Sequence, residues 1–227
     1  MRDGSLDIDI LLIAAWAVPI LLAVTLHEAA HGWVAWKLGD DTAYKLGRVT
    51  FNPIRHIDPV GTILIPGLLV FSGTGFLFGW AKPVPVQFGR LGSPRRDMIL
   101  VAAAGPGINL ILAVLSGAAL ALLPISDTNP INLALFISIQ INILLAIFNM
   151  LPLPPLDGGR VLTGLLPAWL ARPFSKIERY GMFILIGLIF ILPRAAEALG
   201  LQVNPFVWLI GGPAEYVTGI IYSVMGI

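Results

Sequence analysis

Three side chains able to do chemistry stand within one short run: His27-Glu28-Ala29-Ala30-His31 fits H-E-x-x-H. On a helix, positions i and i+4 share a face about 6 Å apart along the axis, close enough for two imidazoles to hold one metal ion. Neutral imidazole is a good zinc ligand. Glu28 lies beside the same face, where it can take a proton from an activated water. The pattern also turns up by chance in soluble proteins. Here it lies inside the apolar run 10–38. Ionisable groups in a membrane helix are costly and functional by default, so a pair of satisfied interhelical contacts is the weaker reading.

A zinc ion that works on water usually has three protein ligands and an open fourth position. The chain has no cysteine, which excludes thiolate sites, disulfides and cysteine nucleophiles. The third ligand is then His56 or a carboxylate. Asp157 stands out, because Pro152, Pro154 and Pro155 precede it and Gly158-Gly159 follow. This run ends an apolar helix and leaves irregular backbone near membrane depth, which is tolerated only where it is buried in protein or lines a watery cavity. The competing readings are a helix-capping Asp157 and a structural His56 in the loop between Arg55 and Asp58.

The elements that must position these groups follow from composition. Hydrophobic residues make up 57% and charged residues 12%, the latter about half the usual share of soluble proteins. With a mean hydropathy of +0.87, the soluble, disordered and collagen-like classes are excluded. A net charge of +1 gives no basic excess for nucleic acid. The remaining class is an all-α polytopic membrane protein with about five to six membrane segments. A span needs about 20 apolar residues. Candidates are 10–38 (with Pro19 a candidate kink), 62–80, 98–123, 131–150, 182–192 with its flanks, and 206–225. Residues 42–44 and 48–51 read as short β-strands beside the site. Residues 81–88, with alternating prolines, read as extended. The piece between Asp157 and Tyr180 reads as holding a short interfacial helix. No repeat or linker is apparent, so 1–227 reads as one domain, with a core of about 10–180 and C-terminal membrane helices at about 180–227.

Three motifs then come together. His27-Glu28-x-x-His31, Ala104-Gly105-Pro106-x-x-Asn109, and Asn149-x-x-Pro152-x-Pro154-x-x-Asp157-Gly158 resemble, in order, those of the site-2 protease family of intramembrane zinc metalloproteases. Gly47-Arg48 through Asn52-Pro53-x-x-His56-x-Asp58-Pro59 looks like the compact prokaryotic branch. The resemblance covers roughly residues 20 to 180. It implies one zinc ion per chain on His27, His31 and Asp157, with Glu28 as catalytic base. It implies that Asn149 meets the substrate backbone or the oxyanion, helped by Asn109. The implied partners are the lipid bilayer and a transmembrane protein substrate, and the implied place is a prokaryotic cell membrane. No inserted PDZ-like module and no C-terminal nucleotide-binding module is read.

Two other functions compete. An ion or solute transporter can place the same polar residues along a path, but the repeats usual for transporters are missing. A catalytically silent scaffold has no use for Glu28. Basic residues set the expected topology. Lys37, Lys45, Arg48 and Arg55 follow the first span, and Arg160, Arg172, Lys176 and Arg179 follow the span 131–150. By the positive-inside rule the site opens toward the cytoplasm. The stretch 62–80, with Pro66, Gly67, Gly73 and Gly75, then enters the membrane and returns. The acidic start (Asp3, Asp7, Asp9) lies outside.

Overall fold

The computed structural model describes residues 10–72, 79–126, 129–201 and 204–227. Asp3, Asp7, Asp9, Gly73 and Gly75 lie outside them. The described chain is mostly helical. Among its helices, four are long and apolar enough to cross a membrane: Ile10–Lys37, Pro94–Ala121, Pro130–Asn149 and Glu178–Ala198. In hydrocarbon every backbone polar group must find its partner within the chain, and a helix does this locally.

Helix α1 (Ile10–Lys37) runs on through Pro19. It is followed by a short α2 (Thr42–Lys45). A 3-10 turn at Pro53–His56 and a π-helical turn at Pro59–Leu64 then lead into α3 (Ile65–Phe71). Asp58 starts this last piece, its carboxylate accepting from the N–H groups of Val60 and Gly61 at 3.0 and 2.7 Å, with Pro59 in the first helical position. The long helices α4 (Pro94–Ala121) and α5 (Pro130–Asn149) also begin on proline. Asp97 reaches back to the Ser93 N–H at 2.7 Å, and the Asn129 side chain accepts from Ile131 N–H at 2.9 Å. Two short helices, α6 (Asp157–Leu165) and α7 (Ala168–Ser175), occupy the stretch where one interfacial helix was expected. The fourth long helix comprises α8 (Glu178–Ile186), a wide turn at Gly187–Ile191 and α9 (Leu192–Ala198). The last helical run, Val207–Gly211 with α10 (Gly212–Met225), packs Ile221 into a buried cluster with Ala113, Leu120, Ile139 and Ile143.

Helices α1, α4 and α5 pack on one another and form the core around the H-E-x-x-H segment. Small residues make this approach close. Val101, Ala102, Gly105 and Pro106 are the buried face of α4 beside α1, and a Cβ at Gly105 would run into the rings of both His27 and His31.

The expected strands are corrected. No β-strand occurs among the described residues, and 42–45 is helical while 49–51 bends. Local turn chemistry overrides the β-propensity of Thr42, Tyr44 and Val49. The Asp40 carboxylate accepts from both the N–H and the hydroxyl of Thr42 at 3.1 and 2.5 Å. Gly47, at φ +63°, then turns the chain in the left-handed region open to glycine. Residues 81–87 form neither helix nor strand. They are tied down by single bonds. Lys82 N–H donates to His56 O at 2.9 Å, Arg48 Nη2 donates to Lys82 O at 2.7 Å, and Gln87 N–H donates to Asp40 at 2.6 Å. Burial pushes the Asp40 carboxyl upward, yet the bonds from Thr42 and Gln87 prevail and hold it below the ordinary carboxylate value.

Candidate metal centre and catalytic site

The imidazoles of His27 and His31 leave α1 on one face, one turn apart, as a spacing of four demands. Asp157 is brought to them by the proline-rich connector between α5 and α6. It stands in the first turn of α6. Gly158 and Gly159 make this possible, since a Cβ at either would collide with the connector backbone at Met150–Leu151 and Leu153–Pro154. All three side chains are buried.

Their donor atoms form a nearly equilateral triangle. His27 Nε2 and His31 Nε2 lie 3.1 Å apart, and Asp157 Oδ2 lies 3.1 and 3.3 Å from them. A tetrahedral ion with bonds of about 2.05 Å holds its ligand atoms about 3.3 Å apart, so the triangle has the size of one face of a zinc site. Protonation points the same way. His31 Nδ1 sits 2.7 Å from the carbonyl of Val101, which can only accept, so this nitrogen carries the proton and Nε2 a lone pair. His27 Nδ1 meets Asn109 Oδ1 at 2.6 Å. Asp157 Oδ2 is buried and has no hydrogen-bond partner. Lone pairs gathered in this way want a cation, and the set of two imidazoles and one carboxylate suits zinc with a position left open.

Glu28 is half-buried beside the triangle, and its Oε2 accepts from the N–H of Val84 at 2.7 Å in the 81–87 stretch. A cavity of about 440 Å³ joins these groups. His27, Glu28, His31 and Asp157 line it together with Asn149, and residues of the 79–88 stretch form the facing wall. Asn149 Nδ2 donates to Leu145 O at 3.0 Å, which leaves its second amide hydrogen uncommitted.

Asn109 is fully buried and is not among the residues lining the cavity; it reaches His27 from behind. His56 is also buried, and its Nε2 donates to Thr50 O at 3.1 Å, apart from the donor triangle. Burial pushes its imidazole below the ordinary value, with Arg48 nearby adding to this against the Thr50 bond. Sequence reasoning missed Val84, Val101 and Asn142. The first two act through backbone atoms, which no residue type announces. Asn142 did carry a signal, as a polar side chain in the middle of an apolar span.

A buried two-histidine, one-carboxylate centre with a glutamate beside it, set among membrane-length helices, defines a membrane metallopeptidase. The family model described as Peptidase family M50 matches residues 124–192. YwhC of Bacillus subtilis (strain 168), named as a candidate zinc metalloprotease, is 41% identical over 194 residues, covering 82% of this chain and 84% of its own. Rip2 of Mycobacterium tuberculosis, named likewise, is 32% identical over 186 residues, covering 81% and 68%. No solved structure matches the chain significantly. The chain belongs to peptidase family M50, and it is a zinc metalloprotease of the membrane. This sets the transporter and scaffold readings aside.

Proposed function

We propose that the protein is an intramembrane endopeptidase that cuts transmembrane segments of other membrane proteins, with His27, His31 and Asp157 holding one zinc ion per chain. The observation that carries this reading is the buried donor triangle, set in a membrane-length helix and opening on a cavity that also holds Glu28 and Asn149. Held by His27, His31 and Asp157, a zinc ion would supply Lewis acidity for a scissile carbonyl and would lower the pKa of water toward neutrality.

The chain's own residues do the rest. Glu28 is the general base. It takes a proton from the attacking water and gives it to the leaving amine, a service worth about 10²–10⁴-fold in rate. The Val84 N–H occupies Oε2, so the second carboxylate oxygen is left for that transfer. Asn149 contributes its spare amide hydrogen to the substrate carbonyl or to the oxyanion that forms from it. A peptide bond inside a helix is shielded, so the substrate must unwind and lie extended. The 81–87 stretch along the cavity wall offers an edge against which a substrate strand can align.

The whole chain acts as one intramembrane protease domain in a prokaryotic cell membrane, with its site open toward the cytoplasm. The stretch 62–80 enters the membrane and returns. In support, the helical piece that leads into it, Pro59–Phe71, is only 13 residues long by its two elements, about 20 Å at helical rise and short of the roughly 30 Å hydrocarbon core. The test of function uses detergent-purified protein and a membrane-segment substrate. Glu28→Gln should keep its zinc and lose cleavage by at least about 10²-fold. Unchanged cleavage by this variant overturns the reading.

A further inference from the structure

We infer that Asn142, on α5, is a positioning residue for the zinc site, acting through Asn109 to fix which nitrogen of His27 faces the metal. Its zinc consequence rests on His27 being a ligand, as proposed above; its effect on the imidazole does not.

The argument is the direction of the hydrogen bonds. Asn142 Nδ2 donates to the backbone carbonyl of Ser138 at 2.9 Å. A carbonyl can only accept, so the Asn142 amide is oriented with its oxygen away from Ser138. That oxygen receives Asn109 Nδ2 at 2.7 Å, and the same Nδ2 also donates to the carbonyl of Ala23 at 3.2 Å. Both hydrogens of the Asn109 amide are then engaged. Its oxygen is left facing His27 Nδ1 at 2.6 Å, so His27 must donate there and keep its lone pair on Nε2. Rotating the Asn109 amide would set its oxygen against two other oxygens. The run Ser138, Asn142, Asn109, His27 therefore conducts in one direction from an accept-only carbonyl to the metal-facing nitrogen.

Burial makes this order strict. Asn109 and Asn142 are 0% and 1% exposed, and inside a bilayer no bulk water is present to replace a lost partner. Polar side chains between membrane helices are often mere glue. The same helices contain such a bond for comparison: Ser116 Oγ and Ser138 Oγ lie 2.7 Å apart and join α4 to α5. Ser138 Oγ also accepts from Asn142 Nδ2 at 3.3 Å, but the shorter bond to the Ser138 carbonyl at 2.9 Å holds the amide without it, so loss of the Ser116 hydroxyl leaves the direction of the run unchanged. His31 offers a second control, since its tautomer is set by Val101 O and owes nothing to Asn142.

The chain has three histidines, so histidine-selective 15N spectroscopy on metal-free protein in detergent can follow each ring. In the parent, His27 and His31 should both carry the proton on Nδ1. In Asn142→Leu the Asn109 amide keeps only its longer bond to Ala23 O, 3.2 Å against the 2.7 Å bond lost, so His27 should shift from a single tautomer toward a mixture while His31 stays as it was. Zinc affinity, read by competition with a chelator, should fall by about 10–100-fold, the usual cost of losing an outer partner of a ligand. Ser116→Ala should change neither reading. If Asn142→Leu does not assemble, Asn142→Ser serves, since its hydroxyl is too short to reach Asn109. A His27 ring that keeps Nδ1–H in these variants overturns the inference, as does an equal effect from Ser116→Ala or a joint change of His27 and His31. Zinc added to the parent tests the ligand assignment separately. If it leaves the His27 signals unmoved, that assignment fails, and the tautomer result still decides the role of Asn142.

Discussion

Two imidazole lone pairs and a carboxylate oxygen about 3 Å apart repel one another unless a cation or a proton lies between them. His31 Nδ1 donates to Val101 O, so the neutral ring presents its lone pair at Nε2, where a metal ion can take it. This has a quantitative consequence for the two candidate third ligands. Asp157→Ala removes a corner of the triangle and should lower zinc affinity by more than the 10–100-fold expected of an outer contact. His56→Ala removes a side chain bonded to Thr50 O and outside the triangle, and should leave zinc content near one per chain. Metal analysis of both variants decides, and the reverse order means that the wrong ligand is assigned. The spacing of His27 and His31, and the prolines and glycines around Asp157, made these three legible in the sequence. The partner of Glu28 was not, because the Val84 donor is a backbone N–H and its place depends on how an irregular stretch folds back.

At the scale of elements, the long helices were readable nearly to their ends. The apolar runs 10–38, 98–123 and 131–150 became Ile10–Lys37, Pro94–Ala121 and Pro130–Asn149, because in lipid an apolar run of that length has few alternatives to a helix. The short polar connections were not readable in the same way. Thr42 and Tyr44 suit a strand by propensity, and what decided against it was Asp40, which grips Thr42 and then Gln87, far away in sequence. The smallness of α4 beside the histidines has its own test. Gly105→Val would drive a branched side chain into the His27 and His31 rings. Overpacking typically costs about 1–3 kcal/mol. Here it also spreads the donors, so zinc should be lost while the helical content by circular dichroism is retained. Full zinc occupancy in this variant would mean that α4 does not approach α1 as closely as described.

At the scale of the whole molecule, charge and geometry together support the proposed topology. The metal site brings the later part of α1 and the end of α5 to the same depth, and basic residues follow both. Lys82 and Arg90 precede α4, and Arg95 and Arg96 stand in its first turn, so in the proposed orientation the stretch 62–80 returns to the side from which it set out. Single cysteines at Thr50 and Gly92, in a chain that has none, should react with a membrane-impermeant label from the same side; labelling from opposite sides rules out the return. The position of the histidines in α1 also bears on the fate of what is cut. His31 and His27 stand six and ten residues before Lys37, where α1 ends, which at helical rise is about 9 and 15 Å. A substrate helix severed at that level keeps about six to ten apolar residues on the Lys37 side, against the roughly 20 needed to stay across a bilayer. If the chain cuts transmembrane segments as proposed, that fragment should partition into the soluble fraction after cleavage, so the depth of one pair of histidines would make each such cut a detachment as well.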